Sequence, residues 1–105
     1  MPQFDVYRNR NPVTRELYPL LVDIQADLLA GLQTRVVVPL TQSRPLLRRP
    51  LSTLTPLIEV DGEEYLLVTP ELAGIAKSAL GARVTSVPEH RDTIIGALDL
   101  LVTGA

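Results

Sequence analysis

Three acceptor side chains sit two residues apart in an otherwise apolar run, Asp23, Gln25 and Asp27 between Leu20 and Leu28. Leu20, Val22, Ile24, Ala26 and Leu28 alternate with them, which predicts a half-buried antiparallel strand with the three polar residues on its exposed face. Two carboxylates flanking an amide form an acceptor row for a basic or peptide-like partner. They do not form an acid–base couple, because positions four apart on one strand face are separated by roughly 13 Å. His90 is the only histidine, so a histidine metal cluster cannot be built. Asp92 gives His90 a neighbour of the right type for a catalytic triad, but the spacing is local and no nucleophile elbow accompanies it. His90 therefore reads as a structural or surface residue. Arg44, Arg48 and Arg49 fall in a proline-rich stretch with almost no aromatic interleaving for base stacking, so they read as solubilising loop residues. Gly62, Gly74 and Gly81 are isolated and make no phosphate-binding loop.

Composition narrows the classes further. A chain of 105 residues that is 46% apolar predicts one domain over residues 1–105 with a small core. Its net charge of −2 is a poor electrostatic footprint for a nucleic-acid binder. Cysteine is absent, which removes disulfides, thiolate zinc sites and a cysteine nucleophile. No secretory signal pattern is visible, and no apolar run approaches the ~20 residues needed to span a bilayer. A soluble cytoplasmic protein without a cofactor is the expectation.

The elements that must position these residues are mostly strands. Gln3–Tyr7 predicts a short strand, Arg8–Glu16 an exposed loop, and Tyr18–Leu29 a long strand turned by Ala30-Gly31 into Thr34–Leu40. Val36, Val37 and Val38 in sequence predict a central strand buried on both faces. Thr41–Pro56, with its prolines, reads as a loop or small irregular sheet over the core. Leu57–Val60, Asp61-Gly62 and Glu63–Thr69 predict a type I′ hairpin, since both turn residues must accept positive φ. Pro70–Leu80 has helix-friendly composition weakened by Gly74 and Gly81. Ser86 and Glu89 fit a capping box with Pro88 in the first helical turn. Ile94, Ala97, Leu98, Leu101 and Val102 then form one apolar helical stripe, with Gly104 free to end the helix in a left-handed conformation. By alternation Leu28 packs into the core or a dimer contact, and Leu29 faces outward. The reading is a mainly β fold, antiparallel, closed by a C-terminal helix.

The segments Gln3–Tyr7 (QFDVY), Tyr18–Asp27 (YPLLVDIQAD) and Arg35–Leu40 (RVVVPL) together resemble the CcdB family of toxin–antitoxin toxins. The resemblance runs nearly end to end. Pro39-Leu40 and Pro56 bracket the arginine-containing connection in the family's manner. Leu72-Ala73, Ser78 and Leu80-Gly81 sit where the family places its last short strand, which favours strand over helix there. His90-Arg91 opens the final helix, and Ala97-Leu98-Asp99-Leu100 is similar to the family's closing stretch.

This resemblance implies a small SH3-like antiparallel barrel of the CcdB/MazF type, with five strands, an accessory sheet and a terminal helix, paired as a homodimer. It implies a non-enzymatic toxin that traps the A subunit of DNA gyrase on cleaved DNA and is neutralised by a cognate CcdA-like antitoxin. Operator DNA is then met only through the antitoxin. The family's toxic members end in Trp-Gly-Ile and engage gyrase with those residues. Thr103, Gly104 and Ala105 stand there in this chain, with Leu29, Asp99 and Val102 as further expected gyrase contacts. Asp23, Gln25, Asp27 and Arg44 are the expected antitoxin contacts. Losing a Trp anchor costs about 2 kcal/mol or more, so weak or absent gyrase poisoning is expected, down to a non-toxic relative that keeps antitoxin binding. A MazF-like endoribonuclease is the competing reading. It would need a positive groove and an Arg with a proton-transfer partner, which the acidic balance and the single His disfavour.

Overall fold

The computed structural model describes residues 3–29, 31–42 and 52–104. Seven strands build one antiparallel sheet: β1 (Asp5–Asn9), β2 (Leu20–Asp23), β3 (Thr34–Thr41), β4 (Leu57–Val60), β5 (Glu63–Leu67), β6 (Ala73–Ala76) and β7 (Leu80–Ser86). Their spatial order is β4-β5-β3-β2-β1-β7, with β6 also paired to β3. The sheet curls into a half-barrel, and the helix α1 (Arg91–Thr103) follows it. The mainly β class with a C-terminal helix is as the sequence implies. The accessory hairpin is continuous with the main sheet, because β5 pairs with β3 at Leu40↔Leu67 and Thr41↔Leu66.

Strand alternation gives the sheet two different faces. Val6, Val22 and Val38 stand opposite one another across β1, β2 and β3, and Leu20 stands opposite Leu40. These side chains meet Ile58, Leu67, Val87, Ile94 and Ala97 in the main core. The opposite face carries Tyr7, Leu21 and Val37, which form a second small cluster with Leu80 and the partly buried Ile75. Two apolar faces explain the valine run: Val37 and Val38 are buried on opposite sides of β3, which is central.

Local chemistry sets the ends of the elements. Asp61 and Gly62 take φ of 50° and 82°, the two positive values that an I′ turn requires between β4 and β5. Gly104 takes φ of 73° and donates its N–H to the Leu100 carbonyl, ending α1 as expected. The first strand begins at Asp5 rather than Gln3, because Phe4 is held at φ 69°. Its N–H reaches the Asp23 carbonyl and its own carbonyl accepts from Val87, two bonds that sustain an unusual aromatic conformation. The expected capping box does not form. Ser86 ends β7 opposite Asp5, Pro88–His90 makes a 3₁₀ turn, and His90 occupies the cap without a side-chain bond. The residues with helix-friendly composition split into two short 3₁₀ turns, Thr69–Glu71 and Lys77–Ala79, with β6 between them and β7 after. At Gly81, an added Cβ would lie 2.8 Å from the Arg8 carbonyl, so the close approach of β7 to β1 requires glycine.

The largest departure concerns the long strand. Ladder pairing in β2 stops at Asp23, not Leu29. Asp23 turns its carboxylate onto its own chain, where Oδ1 accepts the Gln25 N–H at 2.9 Å. Short polar side chains compete for backbone donors in this way and end regular structure. The same carboxylate is gripped by Arg35, Nε to Oδ2 at 2.7 Å and Nη2 to Oδ1 at 3.0 Å, with both side chains fully buried. Removing one member of such a pair leaves an uncompensated buried charge, at a typical cost of about 3–5 kcal/mol. We therefore expect Arg35→Met to lower stability by about that amount in urea titrations. Adding Asp23→Leu to it should recover part of the loss, because the second charge is then gone. An Arg35→Met protein as stable as the parent would contradict this.

Candidate partner-binding site

The predicted acceptor row lies largely inside the protein. Asp23 and Gln25 are buried, and only Asp27 is exposed. The expected row assumed a solvated second face, whereas that face is curled over its own cluster and holds the Asp23–Arg35 pair. Gln25 completes this network: its Oε1 accepts the Val36 N–H at 3.0 Å, its Nε2 donates to the Leu29 carbonyl at 3.1 Å, and its backbone carbonyl accepts from Arg35. Both side chains are thus withdrawn from solvent and engaged with their own chain.

The chain then leaves the sheet in a 3₁₀ turn, Asp27–Leu29, that buries none of its residues. Leu28 is 93% exposed and Leu29 46%. Core packing of Leu28, expected from alternation, fails because the alternation ends with β2. Asp27 accepts the Gln3 N–H, and Gln3 Nε2 donates to the Ile24 carbonyl at 3.0 Å. Leu32 is also half-exposed, so three leucines of one connection face solvent.

A second exposed region lies at the end of α1. Ile94 and Ala97 are buried, Leu98 is partly buried against the core, and Val102 is 78% exposed. The stripe thus leaves the core before its last turn. Asp99, Thr103 and Gly104 are exposed there, and Thr103 Oγ1 bonds back to the Asp99 carbonyl at 2.6 Å. Arg44, Arg48, Arg49 and Ala105 lie outside the described residues. His90 has a structural place: its Nε2 lies 3.2 Å from both the N and O of Glu59, tying the start of α1 to β4. Asp92 points to solvent beside Arg91, so the two do not assemble a triad.

The sequence reading missed a hollow of about 660 Å³ on the second face of the sheet. Leu21, Val37, Pro39 and Ile75 line its apolar part, while Arg10, Tyr18 and Glu71 supply polar edges. Burial, and then the charge of Glu71, push the Tyr18 hydroxyl above its ordinary pKa. Arg10 donates to the Ser78 carbonyl at 3.4 Å. Asn9, which ends β1, donates to the Thr14 hydroxyl and to the Tyr18 carbonyl and so fixes one wall of the hollow. Its lining is thus mixed, an apolar floor from the sheet with polar and charged side chains from the tract after β1 and from Glu71 and Ser78.

Nearby, Asp5 is buried and bonded to Arg83, Nε to Oδ2 at 2.9 Å. The Tyr7 hydroxyl lies 3.4 Å from the same carboxylate. Burial first, then the charges of Asp5 and Asp23, raise the Tyr7 pKa, with Arg83 opposing. A raised value means that the fold favours the neutral phenol, so its contribution is complete below the unfolded value near 10 and is lost as pH rises through the folded one. Denaturation midpoints should fall above about pH 10, and Tyr7→Phe should flatten part of that fall. A parent and variant with the same alkaline profile would show that Tyr7 plays no part. Burial also raises Tyr18 and Tyr65, so the flattening is partial.

The described residues thus combine an antiparallel half-barrel, a terminal helix with an exposed end and a leucine-bearing turn held by polar bonds. A family model described as CcdB protein matches residues 3–104, nearly the whole chain. That family consists of non-enzymatic toxins of toxin–antitoxin systems, of the gyrase-poison kind. Over the length of the match, and with the fold it implies, the chain belongs to the CcdB family.

Proposed function

We propose that this chain is a single-domain toxin of a toxin–antitoxin module, a homodimer that binds a CcdA-like antitoxin and engages the A subunit of DNA gyrase without catalysing a reaction. Membership of the CcdB family is the observation that carries this reading. Its gyrase contacts are the Leu28–Leu29 turn and the helix end at Asp99, Val102, Thr103 and Gly104, with Ala105 beyond. Its antitoxin contacts are Asp27, Arg44 and the hollow edged by Arg10 and Glu71, while Asp23 and Gln25 support them from below. Operator DNA is bound through the antitoxin, in keeping with a net charge of −2. The protein works in the cytoplasm, where gyrase is found. No helix among the described residues is long and apolar enough to cross a membrane.

Support for the dimer comes from β6. Among the described strands it pairs with β3 alone, and its sequence, Ala73–Ala76, carries neither charge nor proline. Sheet edges without such guards recruit another chain. A second copy covering this edge, together with the exposed apolar residues, would complete a small core. Sedimentation should give a dimer at micromolar concentration, and a monomer there removes this part of the reading.

Thr103 and Ala105 stand where the family's toxic members carry Trp and Ile, so gyrase binding should be weak and growth arrest slight when the chain is expressed alone. Thr103→Trp with Ala105→Ile should tighten binding to the purified gyrase A subunit by about thirtyfold, the value of one aromatic anchor of about 2 kcal/mol. Strong gyrase-linked DNA breakage by the parent would contradict the weakness. No gain from the double change would place the contact elsewhere than the helix end.

A further inference from the structure

Gln25 is the junction of the buried network and the exposed turn. Its backbone N–H donates to Asp23 Oδ1 at 2.9 Å and its carbonyl accepts from Arg35 Nη2 at 3.3 Å. The side chain replaces a strand partner by accepting the Val36 N–H, then reaches the Leu29 carbonyl with its amide donor. The turn itself has no buried residue. Its shape therefore rests on polar bonds: these, the Gln3 tethers, and the Leu29 N–H to the Ala26 carbonyl at 2.9 Å. Segments without apolar anchoring open readily unless such bonds hold them. A leucine 93% exposed adds almost nothing to folding. Held in one orientation, however, it enters a partner's apolar pocket without a large further loss of chain entropy.

We propose that Gln25 is a positioning residue for target binding: fixed by the Asp23–Arg35 pair, it holds the Asp27–Leu29 turn so that Leu28 is presented as a preorganised apolar anchor. This rests on the reading above that the turn meets the gyrase A subunit, and adds how the turn is made competent. The Asp23–Arg35 pair thereby acts on binding through Gln25, without touching the partner.

Gln25→Met keeps the side chain's length and apolar stem but removes both side-chain bonds. Gln25→Asn, one methylene shorter, cannot span Val36 and Leu29 together, and serves where the first variant folds poorly. Calorimetric titration of the gyrase A subunit with the Gln25 variant, with Leu28→Ala and with the double variant forms a cycle. Leu28→Ala should weaken binding about tenfold, and the Gln25 variant about fivefold or more. The double variant should show less than the sum of the two losses, because Gln25 acts through the turn that carries Leu28. Amide exchange at Leu29 and Leu32, whose N–H groups bond to the Ala26 and Leu29 carbonyls, should quicken in the Gln25 variant while Val38 in β3 stays protected. Additive losses, or a folded Gln25 variant that binds like the parent, would overturn the proposal. Absence of any gyrase binding by the parent would instead defeat the functional reading. The positioning role then stands or falls on whether exchange at Leu29 and Leu32 changes.

Discussion

The bidentate contact between Asp23 and Arg35 is the interaction on which the surrounding structure depends. Both side chains are fully buried, where an unpaired charge is expensive and a paired one must also have its remaining atoms satisfied. Asp23 therefore shares one oxygen between two donors, Arg35 and the Gln25 N–H. That second bond stops β2 and turns the chain out of the sheet. The pair also decides the character of the second face, where charge and apolar side chains share one concave layer. A fully apolar substitute could match its stability, as buried pairs seldom outperform hydrophobic packing. It would not supply the donor and acceptor that orient Gln25. The pair's value here lies in geometry.

The two faces of the sheet divide the work. The face toward α1 is closed by aliphatic packing, which is dense and tolerant of few volume changes. The opposite face holds Asp5, Tyr7, Asp23 and Arg35, with Arg83 at its edge and an apolar hollow beside them. These charges are engaged with one another: Arg83 with Asp5, Arg35 with Asp23. Arginine committed to a buried or half-buried carboxylate is poorly placed to support phosphodiester cleavage, which asks for a cation facing the substrate. The family to which the chain belongs consists of non-enzymatic toxins of the gyrase-poison kind.

Several features are legible in residue order because they depend on neighbours in sequence. The Asp61-Gly62 turn, the left-handed Gly104 and the opposed faces of Leu20, Leu21 and Val22 follow from local φ preferences and strand alternation. Features that failed depend on distant partners. Alternation from Leu20 to Leu28 looks uninterrupted, yet Arg35, twelve residues after Asp23, pulls the carboxylate inward and breaks it. Ser86 has the type and spacing for a cap, but β1 claims it through pairing with Asp5. Val102 has helical spacing, but the core stops beneath Leu98. The hollow combines the tract after β1 with residues from β2, β3 and β6, so no single window of sequence could disclose it. Leu29 is identifiable as outward-facing, whereas the prominence of Leu28 requires knowing where the strand ends.

The two exposed apolar points differ in what they can contribute to a complex. At the helix end, Thr103 commits its hydroxyl to the Asp99 carbonyl, and Gly104 commits its N–H to Leu100. Two donors of the last turn are thereby engaged within the helix, and Val102 is its exposed large apolar side chain. A site of this kind, lacking an aromatic side chain, supports only a modest share of an interface. The Asp27–Leu29 turn offers a larger side chain on a segment already held from both sides by Gln3 and Gln25. Binding energy depends on how much apolar surface is buried and on how little order must still be created. The turn thus presents the larger exposed apolar side chain on the segment with more side-chain tethers. The polar network under β2 thus fixes the shape of the turn, whereas the helix end closes on its own backbone.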